Sequence, residues 1–156
     1  MNKLNSRDDL TALREVCRKT FDAEKKKILV CGGTGCVAGG SLNIFDRLRS
    51  LLEAKGISAD VELADEPHEG SVGMKKSGCH GFCEMGPLLR IEPMGWLYIK
   101  VSLDDCEEII EKSIIGDEVI DRLVYKDQEG NPYVKQEDIP FYKQQTRIAL
   151  EYCGHI

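Results

Sequence analysis

Apolar residues fall at helical spacing near the start of the chain, bunch into a short run, and then return to helical spacing. Leu10, Leu13, Val16, Cys17 and Phe21 form a rough stripe that predicts a helix over 6–21, with Ser6 at its cap and Asp9 three residues on. The run "KKKILVC" predicts a strand ending at residue 31. A second helix is predicted over 41–56, with Ser41 before it, Phe45, Leu48 and Leu52 on one face and Gly56 to stop it.

Downstream the period shortens. "SADVELAD" (58–65) alternates as a strand does, and residues 66–87 read as a loop rich in Gly, Ser and Pro. "LLRIEP" and "WLYIKV", separated by Met94 and Gly95, predict a hairpin. "SLDDCEEIIEKSII" predicts an amphipathic helix with Ser102 or Asp104 near its cap and Cys106, Ile109, Ile110 and Ile114 facing inward. The order β-α-β-β-β-α implies a small sheet covered by helices. After Gly116 the pattern changes to a short helix in "DEVIDRLVY", a turn in "KDQEGNPYV" and another helix in "PFYKQQTRIALEYCGHI". The expected organisation is an N-terminal helical extension (1–26), a central domain (27–115) and a C-terminal linker with helix (116–156).

Composition narrows the function. A hydrophobic fraction of 42% and a charged fraction of 31% are those of a soluble globular protein. The formal charge of -6 argues against nucleic acid as a partner. No apolar run approaches the ~20 residues of a spanning helix, so no membrane insertion is expected. The opening "MNKLNSRDDL" has no apolar core of the signal-peptide kind. Seven cysteines in that setting predict a reducing, cytoplasmic location, and an odd count argues against a complete disulfide framework.

The chemistry concentrates in "ILVCGGTGCVAGGS", residues 28–41. Gly33, Gly35 and Ala38 fit G-x-G-x-x-G/A between a predicted strand and helix, and Asp65 ends the next strand, as a dinucleotide site requires. That reading leaves Cys31 and Cys36 without a role. "GCHGFCEMGP" adds Cys79 and Cys83, so the chain reads C-x4-C, a gap of 42 residues, then C-x3-C. Four thiolates satisfy the two irons of a [2Fe-2S] cluster. Such a cluster is an anion, which backbone N–H groups stabilise, and Gly32, Gly33, Gly35, Gly78 and Gly81 let the backbone come close. Zinc on the same four cysteines is the alternative from another class, as a protein-interaction module. Thiol-disulfide exchange would prefer C-x-x-C, which is absent. Cys17 and Cys106 lie on apolar helix faces and are expected in the core, while Cys153 is left open. His80 is expected to be a polar neighbour of the site or simply exposed.

"CGGTGC", "SGCHGFCEMGPLLRIEP" and "WLYIKV" together resemble the thioredoxin-like [2Fe-2S] ferredoxin domain over roughly residues 28–115. Within that family it looks like the amino-terminal part of NADH-binding flavoprotein subunits, in NADH dehydrogenase and in NAD-dependent, electron-bifurcating [FeFe] hydrogenase. The resemblance continues into "DIPFYKQQTRIALEYCGHI", which looks like the lead-in to the flavin domain there. It implies an α/β, thioredoxin-like fold with a four-stranded mixed sheet flanked by helices. It also implies Cys31, Cys36, Cys79 and Cys83 as ligands of a [2Fe-2S] cluster. One-electron transfer without bond chemistry is the implied activity, and the flavin domain and other iron-sulfur subunits are the implied partners. FMN and NAD would belong to the parent subunit rather than to this segment.

Overall fold

The computed structural model describes residues 3–23, 26–60, 71–149, 151 and 153. Helix α1 (Arg7–Ala23) starts where predicted. The Ser6 hydroxyl accepts the Asp9 N–H at 3.0 Å, and the Asp9 carboxylate accepts the Ser6 N–H at 3.0 Å, a reciprocal cap. Much of its apolar stripe, however, faces solvent. Leu10 and Val16 are exposed, and Cys17 is exposed rather than buried as expected.

The centre is a mixed sheet in the order β2-β3-β1-β4-β5. Strands β1 (Lys26–Cys31), β2 (Ala59–Asp60) and β3 (Val72–Ser77) run parallel. Strands β4 (Leu89–Glu92) and β5 (Trp96–Tyr98) form the predicted antiparallel hairpin, and β4 pairs antiparallel to β1. At the turn Gly95 takes φ +73°, a conformation that suits glycine.

Strand β3 is an addition to the predicted sheet, since "VGMKKS" read as loop. A strand between two parallel partners is buried on both faces, so its residues do not alternate; Val72, Gly73 and Met74 are all buried. The predicted strand 58–65 is observed at Ala59–Asp60, and its remainder, with Asp65, lies outside the described residues.

Helices cover the sheet. A short α2 (Thr34–Ala38) leads to α3 (Ser41–Ala54), whose Ile44, Phe45, Leu48 and Leu52 are buried against Ile28, Met74 and Ile91. Each such burial stabilises the fold by about 1.5–3 kcal/mol. The cap of α3 is Gly40 at φ +90°; Ser41, expected there, is fully buried and its hydroxyl finds no partner. Gly56 ends the helix at φ +69°. Helix α4 (Asp105–Glu108) begins on the Asp105 carboxylate, which accepts the Ser102 N–H and hydroxyl, both at 2.7 Å. It continues as a wider π-helix, Ile109–Ile115. Inside the widened turn Ser113 bonds the Tyr98 hydroxyl at 2.7 Å and donates to the Glu118 carbonyl at 3.0 Å.

Past Gly116 the chain keeps packing. Ile120, Leu123 and Val124 join the main core, and Ile139 joins a second one with Phe82, Leu88 and Leu97. Backbone bonds from Leu97 N–H to the Val134 carbonyl and from Ile99 N–H to the Leu123 carbonyl tie this segment to β5. The helix expected over "DEVIDRLVY" is instead a turn leading into β6 (Tyr125–Lys126), which pairs with β7 (Pro132–Tyr133). Of the helix expected over 140–156, the described residues form a single turn, α5 (Pro140–Lys143), and residues 150, 152 and 154–156 lie outside the described residues. No helix among the described residues is long and apolar enough to cross a membrane.

Candidate iron-sulfur site

Two loops leave the sheet at the carboxyl ends of adjacent parallel strands. Cys31 closes β1 opposite Ser77, the last residue of β3, so the segments after each strand meet. The first carries Cys36 within α2, and the second carries Cys79 and then Cys83, which opens a 3-10 turn (Cys83–Met85). The register of β1 on β3 thus brings together cysteines far apart in sequence.

The thiols lie as two close pairs. The Sγ atoms of Cys79 and Cys83 are 3.9 Å apart, and the Cys31 thiol is near enough to that of Cys36 to disfavour its ionisation. The first loop's pair is buried, each about 1% exposed, whereas Cys79 is half-buried and Cys83 exposed. Burial first, and the Cys31 thiol second, push Cys36 up to about 12, with the Leu88 backbone amide opposing. The Cys79 thiol pushes Cys83 up as well. A cation reverses this preference, because thiolates beside it are favoured and protons are released on binding. Among the described residues no three His, Cys, Asp or Glu side chains converge on the position of a single metal ion. Two pairs suit the two irons of a [2Fe-2S] cluster, whereas one zinc needs all four sulfurs around a point.

Glycine makes room between the pairs. A Cβ on Gly33 would lie 3.0 Å from the Cys79 sulfur and 3.4 Å from that of Cys31. One on Gly35 would meet the Cys83 Cβ at 3.3 Å. Gly81, at φ +81°, donates its N–H to the Cys79 sulfur at 3.3 Å. The Gly32 N–H goes to the Ser77 carbonyl at 2.9 Å. The Gly78 carbonyl accepts the Ser77 hydroxyl. Sequence reading missed Gly86, where a Cβ would sit 2.8 Å from the Cys36 sulfur.

His80 is fully buried rather than exposed. Its ring nitrogens meet the Ser77 hydroxyl at 2.9 Å and the Gln136 side-chain oxygen at 3.0 Å. Its carbonyl accepts the Tyr142 hydroxyl at 3.1 Å and the Arg147 guanidinium at 2.6 Å. Burial pushes the Tyr142 phenol up. Phe82 stacks on Phe141, ring centroids 4.9 Å apart. The second loop is therefore held by the C-terminal segment, a role with no motif to announce it. Cys106 is buried on α4, as expected, with its thiol raised to about 11 by burial. Cys153 is half-buried.

The profile of the thioredoxin-like [2Fe-2S] ferredoxins matches residues 19–113. The chain belongs to that family. A [2Fe-2S] ferredoxin of Clostridium pasteurianum is 31% identical over 88 residues, which cover 56% of this chain and 76% of that one. A [2Fe-2S] ferredoxin of Aquifex aeolicus is 42% identical over 48 residues, 31% of this chain and 43% of that one. The crystal structure of the thioredoxin-like [2Fe-2S] ferredoxin from Aquifex aeolicus aligns with a TM-score of 0.52 at 27% identity, covering 67% of this chain and all of that one. The fold is accordingly thioredoxin-like, the cofactor a [2Fe-2S] cluster and the activity electron transfer. This ferredoxin chain extends beyond the matched region at both ends, and its C-terminal extension supplies the residues that grip the second loop.

Proposed function

We propose that Cys31, Cys36, Cys79 and Cys83 hold the cluster, and that this ferredoxin domain serves an NADH-dependent oxidoreductase. The parent is of the NADH dehydrogenase or NAD-reducing, bifurcating hydrogenase kind. The observation that carries the ligand assignment is that one sulfur of each pair, Cys31 and Cys79, flanks Gly33, both within 3.4 Å of where a side chain would begin. The resemblance of residues 138–156 to the lead-in of a flavin domain supports the parent.

The cluster, when bound, takes up and releases one electron at a time, while a flavin converts the two-electron hydride of NADH into single electrons. The chain's own part is to present four thiolates, donate the Gly81 N–H to sulfur, and bury the Cys31 pair away from water. The exposed Cys83 side is where a flavin domain or a second iron-sulfur subunit approaches. The setting is the cytoplasm.

Anaerobically purified protein is expected to contain about two irons and two sulfides per chain. Replacing any of the four cysteines by Ala removes most of the cluster, and Cys17→Ala and Cys106→Ala keep it. A full iron complement in Cys36→Ala overturns the ligand set, and a colourless protein with stoichiometric zinc favours the interaction-module reading. Dithionite reduces the isolated chain, but NADH with an artificial acceptor is not oxidised until the flavin domain is joined. Steady NADH turnover by this chain alone would overturn its assignment as an electron carrier.

A further inference from the structure

The peptide unit between His80 and Gly81 is bonded at both ends. Its N–H, from Gly81, donates to the Cys79 sulfur at 3.3 Å. Its carbonyl, from His80, accepts two donors from the C-terminal segment: the Tyr142 hydroxyl at 3.1 Å and an Arg147 nitrogen at 2.6 Å. The guanidinium also lies against Gly81 itself, where a Cβ would come within 2.7 Å of it. Arg147 in turn sits over the Tyr142 ring, 5.4 Å from its centroid. One peptide therefore links a proposed cluster ligand to a cation 68 positions further along the chain.

We propose that Arg147 and Tyr142 are positioning residues that raise the reduction potential of the cluster by orienting and polarising the His80–Gly81 peptide. The inference rests on the ligand assignment above. A charge-assisted donor on a carbonyl draws electron density from the peptide and makes its N–H a stronger donor. A stronger N–H bond to a thiolate favours the more negative, reduced form, which raises the potential. The guanidinium charge acts in the same direction across the partly buried loop. Gly81 is suited to its place because φ +81° aims its N–H at sulfur and its bare Cα leaves room for the guanidinium.

The test is a redox titration, followed by visible absorption and electron paramagnetic resonance, of the anaerobically purified full chain and three variants. Arg147→Gln is expected to keep the wild-type iron and sulfide content. At the wild-type midpoint its reduced-to-oxidised ratio falls roughly three- to tenfold, the effect of losing one hydrogen bond. Arg147→Lys recovers part of the shift, because an ammonium keeps the charge and a donor but not the fork. Tyr142→Phe shifts in the same direction by less. A purely structural role would lower iron content or melting temperature and leave the midpoint of the loaded molecules in place. Wild type and Arg147→Gln titrating together, both fully loaded, overturns the proposal. Should Arg147→Gln fail to hold iron, Tyr142→Phe decides: a lowered midpoint supports the proposal and an unshifted one overturns it. Wild-type protein without iron and sulfide overturns the site assignment itself, and that result is known before any titration.

Discussion

Single residues in this chain differ in what they do even where their chemistry is the same. Cys17 and Cys106 both sit on helices at apolar positions, yet one is exposed and the other buried with a raised thiol pKa of about 11. Alkylation of the native protein near neutral pH is expected to label Cys17 readily and to leave Cys106 untouched until the chain unfolds, because the thiolate is the reacting form. Mass spectrometry of the two peptides checks this. At Gly33 the side chain is the variable. Gly33→Val is expected to lower cluster occupancy, since its branched carbon would press on the Cys79 and Cys31 sulfurs, and iron analysis reads the loss. The cysteine pattern was legible in the sequence because its spacing carries the chemistry. Gly86 and Leu88 were not, because their contact with Cys36 arises only when the segment after Cys83 folds back over α2.

Elements were legible where one face is wet. Helices α1 and α3 and the β4-β5 hairpin show their periods, whereas β3 hides its own behind Gly73 and the paired Lys75 and Lys76. The stripe on α1 shows the reverse failure, as its period is helical but Leu10, Val16 and Cys17 are exposed. At the start of α4, burial pushes the Asp105 carboxyl up, but hydrogen bonds from Ser102 and Arg122 outweigh it and leave the group below its ordinary value. A carboxylate held low when folded contributes stability above its unfolded pKa, about 3.9, and loses it as pH falls toward the folded value. Asp105→Asn is therefore expected to cost about 1 kcal/mol at pH 7. The gap from wild type should close in acid. Urea unfolding at pH 7 and pH 3 measures both; an equal gap at the two pH values would count against the carboxylate's charge as the source.

On the scale of the molecule, element order pointed to helices on a small sheet, the family resemblance added that the sheet is mixed, and the segment after Gly116 was harder to place. Its apolar residues are scattered, and Ile120, Leu123, Val124 and Ile139 are buried by packing into the two cores rather than by their own periodicity. A chain ending at Gly116 would lose Ile120, Leu123, Val124 and Ile139 from the two cores. At about 1.5–3 kcal/mol each, the loss is roughly 6–12 kcal/mol, comparable to the ~5–15 kcal/mol that holds an ordinary domain together. The shortened chain is expected to show no cooperative unfolding transition by circular dichroism. A sharp transition like that of the full chain would mean that residues 117–156 are an appendage after all.

Because His80 is gripped by Tyr142 and Arg147, the cysteine loop takes its final shape only after those two residues have been synthesised. Cys83 leaves the ribosome 64 residues ahead of Arg147. At about 5–20 residues per second that is an interval of ~3–13 seconds during which the nascent chain carries all four thiols without their clasp. Iron delivered in that interval meets an open loop, and so does any oxidant. Pulse-labelling of nascent chains stalled before Arg147 emerges is expected to modify Cys79 and Cys83 faster than in chains stalled well beyond it, making the emergence of Arg147 the step that shelters the metal centre.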